Sequence, residues 1–291
     1  MWVAGVRALM LQALHPVAMQ GVWQLSDFLD DPTGRLLRTA DFVAATTYGS
    51  PEEAAELGRR VRAVHSRLRF TDPATGRRHR VDQADLLLWV HCAEVVSYLE
   101  VVTRAGVRLT AAEADAYLAE QTRTAAYVGL DPREVPASLA QMRSYLARTR
   151  PLLRATPEAA ATVRFLLWPA VPTRLRHIAW LKPLWAPVGA LSYHTLPAWA
   201  RRAYGVLPEP PGTQTAVTAA LGAMRAGLNA VPDPLYVRVF GEVTRERDRR
   251  ARRRLAAAGY DLGAGFRGLN DPARRPAPRR VSPGAAAPVA V

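Results

Sequence analysis

A histidine on an arginine-flanked helical face is the clearest chemical feature of this 291-residue chain. In Val61-Arg62-Ala63-Val64-His65-Ser66-Arg67-Leu68-Arg69, the residues Arg62, His65 and Arg69 fall at i, i+3 and i+7 and so line one face of a helix. Upstream, Gly34-Arg35-Leu36-Leu37-Arg38-Thr39 sets Arg35, Arg38 and Thr39 at i, i+3 and i+4 on another. Neutral imidazole is a common iron ligand, and arginine is the natural partner of carboxylates such as haem propionates. Two such faces could enclose a haem. A lone histidine in an arginine-rich helix is more often solvated or hydrogen-bonded, so spacing alone carries little weight.

The formal charge of +14 raises the local concentration of polyanions, a property of nucleic-acid and membrane binders. Its distribution argues otherwise. Lys182 is the single lysine among 39 basic residues, and much of the excess sits in one late run, Arg245 to Arg254. A structured phosphate-binding surface needs more than that, so nucleic acid is not the expected partner. Cys92 is the only cysteine, which excludes an intramolecular disulfide and four-cysteine zinc. No Cys-x-x-Cys-His occurs, so any haem must be the non-covalent b type. No uninterrupted apolar run reaches the roughly 18 residues of a spanning helix, and the start lacks a basic n-region. The cytoplasm is the expected location.

Helical periodicity dominates, with no convincing run of alternating β-branched residues, and the expected class is all-α. Residues 5 to 24 read as helix broken at His15-Pro16, because proline disfavours helical backbone in the residue before it. Asp31-Pro32 opens a helix from about 33 to 48, stopped by Gly49, and Ser50-Pro51-Glu52-Glu53 caps another running to about 69. Residues 71 to 80 have loop composition, with His79 expected in solvent. Residues 82 to 105 form a central helix too apolar for a surface element, carrying Trp89 and His91. Thr110-Ala111-Ala112-Glu113 is a capping box for a helix to about 128, closed by Gly129. Further helices are expected at 136 to 149, 157 to 168, 195 to 204 and 213 to 228.

From Trp168 to Arg202, four tryptophans and five prolines predict short broken helices. Such a segment suits peripheral membrane contact or the rim of a channel for a hydrophobic substrate. The helical domain is expected over 1–240, with a disordered Arg/Pro/Ala-rich tail over 241–291.

An ordered series of motifs now bears on identity. Arg7-Ala8-Leu9-Met10-Leu11-Gln12-Ala13-Leu14-His15-Pro16, Asp31-Pro32-x-Gly34-Arg35-x-x-Arg38-Thr39, Tyr48-Gly49, Val64-His65, Trp89-Val90-His91 and Leu196-Pro197-x-Trp199-x-Arg201-x-x-Tyr204-Gly205 together resemble the family of the rubber oxygenase (latex-clearing protein) and the mycophenolic-acid-pathway oxygenase MpaB. The resemblance implies a globin-like helical core with extra helices, one haem b, and cleavage by O2 of double bonds in hydrophobic, isoprenoid-like substrates. It implies His65 as the axial iron ligand, with Arg35, Arg38 and Thr39 on the distal side. Arg62, His91 and His15 are further candidates for the cofactor pocket, while His177 and His194 take no role.

Two departures stand out. The rubber-cleaving branch has lysine where Arg38 stands, and arginine is a poor ligand because it stays protonated. That branch also carries a glutamate upstream of the distal arginine, whereas this chain reads Val17-Ala18-Met19-Gln20-Gly21. A carboxylate base is therefore missing from that position. The chain starts almost at the Arg-Ala-Leu segment, where relatives carry a preceding stretch. The competing reading is a haem-free helical protein that binds lipid or a partner's apolar segment.

Overall fold

The computed structural model describes residues 2–26, 32–169, 183, 185–205 and 209–231, with Glu246, Arg249, Arg250 and Arg253 beyond them; the side chains of residues 32, 33, 36 and 37 lie outside the description. The described residues are mainly helical. Contacts divide the chain at Val231/Pro232, and the helices belong to the unit Met1–Val231. The expected tail from 241 falls almost wholly outside the described residues.

The helices are α1 (Trp2–Gln12), α2 (Pro16–Leu25), α3 (Pro32–Tyr48), α4 (Pro51–His65), α5 (Ala84–Arg104), α6 (Ala111–Tyr127), α7 (Leu139–Thr149), α8 (Pro157–Leu167), α9 (Ala186–His194), α10 (Ala198–Ala203) and α11 (Thr213–Ala230). Their ends follow local chemistry. Ser50 Oγ accepts from Glu53 N at 3.2 Å to start α4, and Thr110 with Glu113 makes the reciprocal capping box of α6. Gly129, at φ +98°, ends the turn after α6, a conformation that costs a side chain with Cβ roughly 1–2 kcal/mol.

α5 is the axis of the fold. It packs along α1, and Trp89, Ala93, Met10, Leu14, Leu166 and Leu196 meet in one buried cluster. A reciprocal pair locks the two helices: Trp89 Nε1 donates to Gln12 O at 3.0 Å, and Gln12 Nε2 donates to Val90 O at 2.9 Å. By length and composition α5 could cross a membrane, and half of that apolar stretch is buried inside the fold.

Three expectations need correction. The helix starting at Pro51 stops at His65, not near 69. The stretch expected as loop contains a two-stranded antiparallel hairpin, β1 (Arg69–Thr71) with β2 (Arg78–Arg80), in the register Phe70 opposite His79. Its turn is built by Asp72, whose carboxylate accepts from Ala74 N and Thr75 Oγ1, and by Gly76 at φ +68°. His79 is buried rather than solvated. Its ring stacks on Phe70 at 5.4 Å and its Nδ1 meets Gln83 Oε1 at 3.0 Å. In the proline-rich segment α9 and α10 are short helices, while residues 170–182 lie outside the described residues.

Candidate functional site

His65 closes α4, where the chain turns out of the helix toward the hairpin. The ring is half-buried, and its Nδ1 is sealed from solvent with no hydrogen-bond partner among the described residues. Burial pulls the imidazole below its ordinary pKa, the Arg35 charge adds to the effect, and Asp82 opposes it. At neutral pH the ring is therefore neutral, the form that offers a lone pair to a metal.

The electrostatic coupling of Arg35 to His65 places the start of α3 near the end of α4. Arg35 is half-buried and Arg38 is exposed. Thr39 is exposed and its hydroxyl donates to Arg35 O at 3.1 Å, a bond back along its own helix. Arg62, on α4 one turn before His65, reaches away to α6, where Nη1 donates to Tyr127 O at 2.6 Å. Arg69 leaves the helical face altogether, starting β1 with Nη1 bonded to the carbonyls of Ser66 and Leu68.

The other two histidines behave differently from each other. His15 is the N-cap of α2, where Nδ1 accepts from Ala18 N at 3.3 Å and the ring tilts against Trp89 at 6.1 Å. That lone pair is spent on the helix. His91, buried on α5, takes a hydrogen bond with the backbone of Gln121 on α6, and its Nε2 is sealed with no partner among the described residues. Its pKa falls to about 4 because burial excludes the charged ring. A ring nitrogen held by a carbonyl leaves the other as a lone pair, the usual arrangement of a metal-binding histidine.

One residue escaped the reading of the sequence. Glu94 lies one turn after His91 on the same face of α5, and burial pushes its carboxyl up to about 7. Among the described residues it has no hydrogen bond or ion pair, and Tyr98 and Tyr117 feel its charge. It is the only charged side chain between Asp85 and Glu100, a signal the sequence does carry. At the position where the rubber branch has its glutamate, Met19 and Gln20 are buried, with Gln20 Oε1 accepting from Gln24 Nε2 at 3.0 Å.

Among the described residues no group of three His, Cys, Asp or Glu side chains gathers around a metal position. A porphyrin-held iron needs one protein ligand, and a sheltered neutral imidazole is a donor of that kind. Among the described residues His65 and His91 each carry a sheltered ring nitrogen, and the Arg35 charge acts on His65.

No curated protein and no solved structure matches the chain. The family described as ER-bound oxygenase mpaB/B′/rubber oxygenase, catalytic domain, matches residues 1–226, which take in every helix from α1 to near the end of α11. The chain belongs to this oxygenase family.

Proposed function

We propose that the protein is a haem b-dependent oxygenase that uses O2 on a hydrophobic, isoprenoid-type substrate. The observation that carries this reading is the sheltered Nδ1 of His65, without a partner among the described residues and within reach of the Arg35 charge, in a chain of an oxygenase family. His65 would hold the iron through a ring nitrogen, and Arg35 would meet a propionate. Bound haem supplies activation of O2 at its iron.

The remaining work falls to the chain. Burial and the neighbouring Arg35 charge keep His65 neutral, so no proton competes for its lone pair. An arginine at position 38 suits anion pairing better than iron ligation. Thr39 commits its proton to Arg35 O, so its oxygen is left as an acceptor. Glu94 on α5, its carboxyl raised to about 7 by burial, can take and return a proton near neutrality.

The test is the absorption spectrum of protein purified with haem supplied during expression, as isolated and after dithionite and carbon monoxide. The reading expects a Soret band that His65→Ala abolishes. Colourless protein carrying co-purified lipid would favour the haem-free alternative.

A further inference from the structure

Away from His65, a cleft of about 520 Å3 opens between α1, α5, α7, α10 and α11. The size falls within the roughly 300–1,000 Å3 of small-molecule sites. At its base lies Arg7, only 4% exposed. Its Nε donates to Thr195 O at 3.1 Å and its Nη1 to Ser97 Oγ at 2.5 Å, and Ser97 passes its own proton to Ala93 O at 2.6 Å. Among the described residues no carboxylate pairs with this guanidinium, and Arg7 is part of the cleft lining.

The rest of the lining adds positive charge. Among the described residues the Arg150 side chain makes no hydrogen bond or ion pair, and its Cζ sits 5.5 Å from the centre of the Trp199 ring. Arg104 is held by Gln214 O and Thr218 Oγ1. Arg201 is neutralised by Glu209 at 2.9 Å. That leaves Arg7, Arg104 and Arg150 against one lining carboxylate, Glu100, which attracts Arg7 from beyond ion-pair distance. Burial lowers Arg7 to about 10, so it stays charged at neutral pH. A buried, unpaired cation is costly, and an anion in the cleft would relieve it. Leu11, Val96, Leu146, Leu196 and Trp199 give the same cleft an apolar wall.

We propose that this cleft binds an amphiphilic oxyanion, its phosphate or carboxylate head on Arg7 and Arg150 and its apolar body along Leu11, Leu146 and Trp199. The planar fork of arginine suits such a head through paired N–H donors. The inference is independent of haem.

The experiment is calorimetric titration of the full chain, purified without added cofactor, with octyl phosphate, octanoate, octanol and inorganic phosphate below micelle-forming concentrations. At least one of the two anionic amphiphiles should bind saturably at one site, with octanol and inorganic phosphate about tenfold weaker or more. Arg7→Met removes two buried hydrogen bonds and threatens folding, so Arg150→Gln carries the test. It should weaken the anionic amphiphile about tenfold, leave octanol unchanged and leave the melting temperature unchanged. Absence of saturable binding by either amphiphile would overturn the proposal. So would octanol or inorganic phosphate binding as tightly, or an Arg150→Gln titration indistinguishable from wild type.

Discussion

Arg62 Nη1 donates a 2.6 Å hydrogen bond to Tyr127 O, tying the helix that ends in His65 to the last turn of α6. A cation at the carbonyl end of a helix also suits the helix dipole. Gly129 makes room for the arginine stem, since a Cβ there would lie 3.2 Å from Arg62 Cδ. Arg62→Met should therefore cost about 1.5–3 kcal/mol, the scale of a hydrogen bond from a charged donor. Thermal unfolding of the variant checks this, and an unchanged melting temperature would mean the bond contributes nothing.

Two imidazoles among the described residues carry a sealed, unpartnered nitrogen, His65 at Nδ1 and His91 at Nε2. Only one is expected to be the iron ligand. His65→Gly should lose the Soret band and regain it when free imidazole is added, because the small ligand fills the vacated space. His91→Gly should keep the band without rescue. The reverse pattern would move the residue that would hold the iron from α4 to α5.

The Glu94 carboxyl is raised from 4.5 to about 7 by burial, and this sets a pH dependence. Between those values the folded state keeps a proton that the unfolded chain releases. Stability is thus fully present below pH 4.5 and is lost as pH rises through 7, by about 3 kcal/mol in all. Glu94→Gln removes the ionisation. Denaturant titrations should show it near wild-type stability in acid and clearly more stable above pH 7.

Gly21 on α2 faces the hairpin. A Cβ at that position would stand 2.9 Å from Phe70 Cε1, and Phe70 is pinned between α2 and the stacked His79 ring. Overpacking of this kind costs about 1–3 kcal/mol, against a helix-propensity gain of about 1 kcal/mol for alanine over glycine. Gly21→Ala should come out destabilising, seen as a lower melting temperature.

The sequence by itself determined the features whose partners lie within a few residues. Ser50 and Thr110 reach backbone N–H groups three positions on, and His15-Pro16 breaks a helix through its own backbone sterics. The apolar stretch around Trp89 pointed to a central helix, and the ordered motifs from Arg7 to Gly205 were enough to read the family, which the comparison over residues 1–226 shows.

Only the tertiary structure decided what depends on distant partners. His79 is buried because Phe70, nine residues earlier, pairs with it across a hairpin too short and too polar to show a strand pattern. Arg62 was legible as part of a cofactor face, yet its direction is set by a carbonyl 65 residues away. Arg7 meets Ser97 and Thr195 across 90 and 188 positions, and its unpaired charge follows from what surrounds it in space. Glu94 is titrated by burial, and burial is a sum over neighbours that chain order does not record.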